Sequence, residues 1–81
     1  MYTRADFGQA LKNHIKKKQD VTEIGDWAYS VSLENDVDES FRHILITLSY
    51  MELGPEFAFS YKRLNEIAED MIAGRAVNLD Y

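Results

Sequence analysis

The sequence predicts an all-α fold, a compact antiparallel bundle of about four short helices, and three observations support this prediction. Apolar residues recur at spacings of three and four along four segments, which is the period of an amphipathic helix. Residues that cap helices separate these segments. The 81 residues suit one domain, residues 1–81, with a small core that no cysteine can reinforce.

The first helix is predicted to begin after Thr3, which suits the N-cap position. Asp6 occupies the reciprocal position of a capping box, three residues after the cap. The helix ends in the lysines 16–18, whose positive charge complements the negative end of the helix dipole. The apolar stripe of this helix consists of Phe7, Leu11 and Ile15.

The second helix is predicted to begin at Asp20 or Thr22, and Asp20 and Glu23 have the spacing of a capping box. Gly25 costs up to about 1 kcal/mol relative to alanine inside a helix. We therefore expect Gly25 to allow a close approach by a neighbouring backbone or ring. The apolar stripe of this helix consists of Ile24, Trp27, Ala28 and Val31, with Trp27 as the main core anchor.

The third helix follows a polar connection, and Asp38 is predicted to cap it. Gly54 is expected to end it in a left-handed conformation, and Pro55 cannot continue the helical hydrogen bonds. We expect Phe57, Phe59 and Tyr61 to join this helix to the next as part of the core. The apolar stripe of the third helix consists of Phe41, Ile44, Leu45, Leu48 and Met51.

The fourth helix is predicted to begin at Ser60 or Pro55 and to end at Gly74. Residues 75–81 then form a tail that either docks through its apolar side chains or is mobile. The apolar face of the fourth helix consists of Tyr61, Leu64, Ile67, Ala68, Met71 and Ile72.

Charge is distributed unevenly along the chain, whose formal net charge is −5. Residues 1–18 contain five basic side chains and one acidic side chain, a net charge of +4. Residues 19–59 contain nine acids and one arginine, a net charge of −8. Such an acidic block creates a negative potential that speeds encounter with a positive partner. The block is therefore either a binding face or the solvated surface of an acidic protein.

No catalytic or metal-binding motif is found, so we predict neither an enzyme nor a cofactor. The chain has no cysteine, and no serine lies in a nucleophile elbow. Residues 36–47 begin like a calcium loop but lack its glycine and its final glutamate. We expect both His14, which lies among lysines, and His43 to be exposed surface residues.

Hydropathy predicts a cytoplasmic protein without a membrane segment. No apolar run approaches the length of about 20 residues that a membrane span needs. The first residues lack the apolar core and small-residue cleavage site of a secretory signal.

Tyrosines beside the acidic block indicate where a partner would be anchored. Tyr and Trp bury a large area at low entropic cost and are frequent in binding hot spots. Tyr29 falls outside the apolar stripe of its helix and is the better candidate for a contact than Trp27. The candidate partner-binding residues are Glu23, Asp26, Tyr29, Glu34, Asp36, Asp38, Glu39 and Tyr50.

Two stretches resemble small helical bacterial proteins, some of which are toxin-immunity proteins. The stretch DVTEIGDWA is similar to their pattern of a turn followed by a helix bearing Trp-Ala, and IAEDMIAG is similar to their last helix. The size and acidity also resemble the immunity proteins of colicin nucleases, although this chain lacks their adjacent tyrosine pair. The resemblance implies a cytoplasmic inhibitor that binds a toxin.

The leading hypothesis is a non-enzymatic binding protein whose acidic surface neutralises a basic protein partner, such as the nuclease domain of a toxin. One alternative is a small regulatory or DNA-associated module that uses Lys12, Lys16, Lys17 and Lys18, although the acidic block would repel nucleic acid. Another alternative is a self-associating domain, such as a homodimer, because a small core gains stability from a second copy.

Overall fold

The computed structural model describes residues 2–34, 37–54, 56, 58–77 and 79. The all-α prediction is confirmed, because in these ranges the only β-type pairing is an isolated bridge between Tyr2 and Val37. The predictions for Asp36, Pro55 and Phe57 lie outside the described residues. The elements are α1 (Arg4–Lys16), α2 (Val21–Glu34), α3 (Glu39–Ser49), a 3-10 helix (Tyr50–Leu53) and α4 (Tyr61–Ala73).

The helix starts follow the predicted capping chemistry. Thr3 caps α1 in a full capping box with Asp6. The Asp20 carboxylate accepts a hydrogen bond from the Thr22 backbone N–H at the start of α2. The Asp38 carboxylate accepts one from a backbone N–H in the first turn of α3, and the Ser60 hydroxyl does the same for α4. Each cap satisfies a backbone donor that the helix itself leaves unpaired.

The two glycines predicted to end helices adopt different conformations. Gly74 follows α4 with φ 76°, in the left-handed region, as predicted. Gly54 follows the 3-10 helix with φ 161° and ψ 164°, so the predicted left-handed conformation is wrong there. The chain leaves the 3-10 helix in an extended direction, which needs no left-handed residue.

Helix α1 packs antiparallel to α4, and Gly8 lies at their closest approach. A Cβ added at Gly8 would lie 2.8 Å from both the Ala68 carbonyl oxygen and Ile72 Cγ1. At one end of the pair, the Arg4 guanidinium donates to the Arg75 carbonyl over 2.7 Å. The contacts of Gly8 therefore show that only a residue without a side chain fits at this crossing.

Helix α2 packs antiparallel to α3 and the 3-10 helix, with Gly25 at the crossing. A Cβ added there would lie 3.0 Å from the Glu52 backbone nitrogen and 3.1 Å from the Leu48 carbonyl oxygen. The expectation of a close backbone approach at Gly25 is thus confirmed. Towards the other end of α2, Arg42 Nη1 donates to the Ser32 carbonyl over 3.2 Å.

An aromatic stack joins α1 to α2. The rings of Phe7 and Trp27 are stacked, with centroids 4.7 Å apart and planes 10° from parallel. His14 packs on Trp27 at 4.2 Å and hydrogen-bonds the side chain of Gln19. The prediction of an exposed His14 is therefore wrong. His14 lies seven residues after Phe7, about two helical turns, and so shares its face.

The core contains most of each predicted stripe, and Trp27 lies at its edge, half-buried, rather than at its centre. Tyr61 is also exposed, contrary to its predicted place on the apolar face. The tail residues Val77 and Leu79 pack against the core. The buried stripe residues are Phe7, Leu11, Ile24, Ala28, Val31, Phe41, Ile44, Leu45, Leu48, Met51, Leu64, Ile67, Ala68 and Met71.

None of the helices formed by the described residues has the length and apolar character needed to cross a membrane.

Candidate protein-binding face

The outer side of α2 is defined by its direction away from the core. Ile24 is fully buried and marks the direction of the core. At about 100° per residue, Tyr29 lies about 140° around the helix from Ile24, and Leu33 about 180°. Asp26 lies about 160° from Ile24. All three side chains are exposed. Gly25 faces α3, and Tyr29 and Leu33 lie about 40° and 80° around the helix from it, whereas Asp26 lies about 100° from it and points outward.

The outer side of α3 follows from the same geometry. Leu48 is fully buried and marks the core direction. Ile46 and Tyr50 lie about 160° from it on either side, and Glu39 lies about 180° from it. Leu53 follows Tyr50 by one turn of the 3-10 helix and therefore shares its direction. These side chains point to the same outer surface as those of α2.

The register of the two helices brings these side chains together. A Cβ added at Gly25 would lie 3.3 Å from the Ser49 carbonyl oxygen, and Arg42 donates a hydrogen bond to the Ser32 carbonyl. In this antiparallel register, Tyr29 is opposite Ile46. We call the resulting surface the outer α2–α3 face, which consists of Asp26, Tyr29, Leu33, Glu39, Ile46, Tyr50 and Leu53.

This face contains most of the exposed large apolar side chains in the described part of the chain. There are five such side chains, and four belong to the outer α2–α3 face. Leu33 and Leu53 are 67% and 65% exposed. Scattered apolar residues are normal on a protein surface, whereas a cluster of them marks an interaction site.

The electrostatic potential of the face is negative. Arg42 is the one lysine or arginine between residues 20 and 56. Its guanidinium is held by the Ser32 carbonyl at 3.2 Å and the Val37 carbonyl at 3.4 Å. Arg42 Nε also lies 3.4 Å from Glu39 Oε1, an ion pair that leaves Glu39 88% exposed. The Arg42 side chain is thus held against the fold although it is 38% exposed, while Asp26 and Glu39 face solvent.

The structure separates the predicted site residues into groups. It brings four of them to the outer α2–α3 face: Asp26, Tyr29, Glu39 and Tyr50. Glu23 and Glu34 lie about 160° and 180° around α2 from Gly25, on the flank remote from α3. Asp38 caps α3 and borders a cavity elsewhere, and Asp36 lies outside the described residues. The acidic segment therefore does not form one continuous face.

Sequence reasoning missed three apolar members of the face: Leu33, Ile46 and Leu53. The predicted buried stripes consist of apolar residues on the core side of each helix, and these three residues lie on the opposite side. A signal was available for Leu33, because an apolar residue nine positions after Ile24 projects about 180° from it. An apolar residue on the polar side of an amphipathic helix is thus a usable marker of a contact surface.

Two acids of the acidic segment, Asp20 and Asp38, accept hydrogen bonds from the first turns of α2 and α3. The Thr22 backbone and hydroxyl hydrogen bonds hold the pKa of Asp20 below its ordinary value of 3.8. The Ser40 backbone and side-chain hydrogen bonds lower the pKa of Asp38 in the same way. Both hydrogen-bond donors stabilise the charged carboxylate, which identifies these two residues as helix caps.

A cavity of about 370 Å³ lies between the starts of α1 and α3 and the end of α4. Its walls include Phe41, Met71 and Ile72, with Tyr2 and Arg4 at the α1 side. Burial, followed by the charge of Asp6, raises the pKa of the Tyr2 phenol. The described residues of the lining include Asp38 and Ser40 but no histidine or cysteine. Among the described residues, no three His, Asp or Glu side chains are grouped so as to hold a metal ion.

Comparison with known protein families, with curated proteins and with solved structures finds no match to this chain.

Proposed function

We propose that this chain is a non-enzymatic binding protein that docks a basic protein partner on the outer α2–α3 face. The observation that carries the proposal is the concentration of four of the five exposed large apolar side chains on that face. Interfaces combine such an apolar centre with a charged rim, and tyrosines are favoured as anchors. Tyr29 and Tyr50, each 44% exposed, would be the anchors.

The proposed mechanism has an electrostatic step and a contact step. The acidic side chains among residues 19–59 attract a positive partner over a distance of about one Debye length, about 8 Å in physiological salt. Glu23, Glu34 and Asp38 add to this field although they lie outside the contact surface. Asp26 and Glu39 then meet basic groups of the partner while the leucines and tyrosines lose their water.

A toxin is the partner class that the resemblance to toxin-immunity proteins suggests. A nuclease domain is basic where it binds phosphate, so an acidic protein that covers such a surface would block the substrate. We propose that this chain neutralises a toxin in this way.

The test compares capture of host proteins by the immobilised wild type and by two double variants. Leu33→Ser/Leu53→Ser removes the exposed leucines from the face, whereas Gln9→Ser/Asn13→Ser changes two exposed polar residues on α1. We expect a basic protein to be retained by the wild type and the α1 variant, and lost by the leucine variant. Equal retention by all three would contradict the proposal.

Charge reversal then tests the electrostatic step with the captured protein. Asp26→Lys/Glu39→Lys and Glu66→Lys/Glu69→Lys change the net charge equally, but the second pair lies on α4. We expect the first variant to slow association at low salt more than the second, and high salt to reduce the difference. Association that is independent of salt and of both variants would contradict a basic partner.

The alternatives give different results in the same experiments. A DNA-associated module would retain DNA in a manner that depends on Lys16, Lys17 and Lys18, which are exposed at the end of α1. A self-associating domain would sediment as a dimer at micromolar concentration, and the leucine variant would sediment as a monomer.

A further inference from the structure

The outer α2–α3 face follows the line along which α2 packs against α3, and two helices packed side by side leave a shallow groove along such a line. The seam of α2 along α3 consists of small residues, Gly25, Ala28 and Ser32, which let the two backbones approach closely. Larger side chains rise on each side of this seam, Tyr29 and Leu33 from α2, and others from α3 and the 3-10 helix. A third helix lying in such a groove would contact both helices at an interaxial distance of about 8–10 Å.

The spacing of the apolar side chains along the groove is helical. Tyr29 and Leu33 are one turn apart, about 6 Å along α2. Ile46, Tyr50 and Leu53 span about 10 Å along the second side of the groove. A partner helix of about three turns, with apolar residues at i, i+4 and i+7, would match both rows.

An extended partner segment has no comparable template. Strand addition needs an exposed sheet edge, and in the described residues the only β-type pairing is the isolated Tyr2–Val37 bridge. A second copy of this chain is also disfavoured, because it would offer this same face, and Asp26 and Glu39 of the two copies would place like charges at one interface.

The acidic residues beside the groove favour a positively charged occupant. Asp26 and Glu39 flank the apolar rows, and Arg42 is held by two backbone carbonyls and Glu39. A helix with lysine or arginine beside its apolar stripe would pair with both acids, whereas an acidic helix would be repelled.

We propose that the occupant of the outer α2–α3 face is a basic amphipathic α-helix of the partner protein, an inference that rests on the proposed function. The partner is thereby defined by its chemistry: an exposed helix with an apolar stripe at helical spacing and Lys or Arg on both flanks.

The test uses three synthetic peptides of 16 residues. The first places leucines at i, i+4, i+7 and i+11 with lysines on the flanks. The second has the same composition in scrambled order, and the third has every lysine replaced by glutamate. Amide chemical shifts of this protein locate the binding site, and far-UV circular dichroism of the peptide reports its helicity.

We expect the first peptide to become helical and to shift amides of α2, α3 and the 3-10 helix on the outer face. The scrambled and acidic peptides should bind at least about tenfold more weakly, as expected for the loss of an interface hot spot. Leu33→Ser/Leu53→Ser should weaken binding of the first peptide by a similar factor, and Gln9→Ser/Asn13→Ser should leave its binding unchanged.

The inference is overturned if the first peptide does not bind, if the scrambled peptide binds equally well, or if the shifts fall on α1 and α4. The capture experiment separates this failure from failure of the proposed function. If the leucine variant still loses the captured partner, the face is a binding site whose occupant is not a basic helix. If that variant retains the partner, both proposals fail.

Discussion

The two helix pairs of this protein pack in the same way but differ in the side chains that they expose. Each pair has a glycine at its crossing, Gly8 between α1 and α4 and Gly25 between α2 and α3. Each also buries its apolar stripe in the shared core. The exposed side chains of the α1–α4 pair are polar or small apart from Tyr61, whereas the outer side of the α2–α3 pair carries the exposed Leu33 and Leu53.

This difference separates residues that stabilise the fold from residues available for binding. Packing explains the glycines, the buried stripes and the aromatic stack, since each contributes to burial within the chain. Burial within the chain does not explain two leucines that are about two-thirds exposed. This difference is the reason why we propose the α2–α3 pair as the half that binds a partner.

The largest expected effect contrasts a covered leucine with an uncovered one. Leu11→Ala should lower the free energy of unfolding by about 2–5 kcal/mol, because Leu11 is fully buried between helices. Leu33→Ala should change it by less than about 0.5 kcal/mol, because most of that side chain is already in water. Urea unfolding of both variants measures the difference. A loss of more than about 2 kcal/mol in Leu33→Ala would show that Leu33 serves the fold.

A second effect compares the two glycine crossings. Gly8→Ala should destabilise by about 1–3 kcal/mol, because the new methyl would lie 2.8 Å from a backbone carbonyl oxygen. Gly25→Ala should cost less, because its nearest contacts are 3.0–3.3 Å, whereas the gain of alanine in helix propensity, about 1 kcal/mol, is the same at both positions. Thermal unfolding gives both values. The opposite order would mean that the α2–α3 crossing is the tighter one.

Acid should loosen the α2–α3 pair before the α1–α4 pair. Asp20 and Asp38 cap α2 and α3, and hydrogen bonds lower the pKa of each. A carboxyl with a lowered pKa stabilises the fold above its unfolded-state pKa, and this contribution is lost as pH falls through the folded-state pKa. Helix α4 is capped by the hydroxyl of Ser60, which does not titrate in this range.

The measurement is amide hydrogen exchange between pH 5 and pH 2.5, corrected for intrinsic rates. We expect protection in the first turns of α2 and α3 to fall before protection in α4. Asp38→Asn should make the start of α3 insensitive to acid, because asparagine caps without titrating. Loss of protection in all helices at the same pH would indicate that the caps do not control the acid response.

The smallest expected effect concerns a link between the pairs. The Tyr61 hydroxyl donates to the Gln19 carbonyl over 2.6 Å and fastens the start of α4 to the α1–α2 connection. Tyr61→Phe should cost about 0.5–1.5 kcal/mol, near the lower value because this hydrogen bond is exposed. Chemical unfolding of the variant checks this. An unchanged stability would show that water replaces the hydrogen bond without loss.

Much of the fold could be predicted because its determinants are local. The caps at Thr3, Asp38 and Ser60 follow from residues next to each helix, and the buried stripes follow from helical period. Gly54 was predicted wrongly because its conformation depends on the direction in which the chain leaves the helix. The lysines around His14 predict an exposed side chain, whereas its position seven residues after Phe7 places it on the face that packs against Trp27.

The candidate site could be predicted only in part, for a reason of geometry. Sequence distance indicated that the acids from Glu23 to Glu39 belong together, yet helical rotation sends Glu23 and Glu34 to the remote flank of α2. Leu53 belongs to the face only because of the register of α3 against α2. Contacts of Gly25 and Ser32 with residues far away in the sequence set that register. Such pairing cannot be read from one helix at a time.

The most direct test of the outer α2–α3 face as the binding surface is amide hydrogen exchange of this protein with and without the captured basic partner. We expect slower exchange in residues 26–33 and 46–53 of the complex, with little change in α1 and α4. Protection confined to the outer side of α1 and α4, with the α2–α3 pair unchanged, would contradict it.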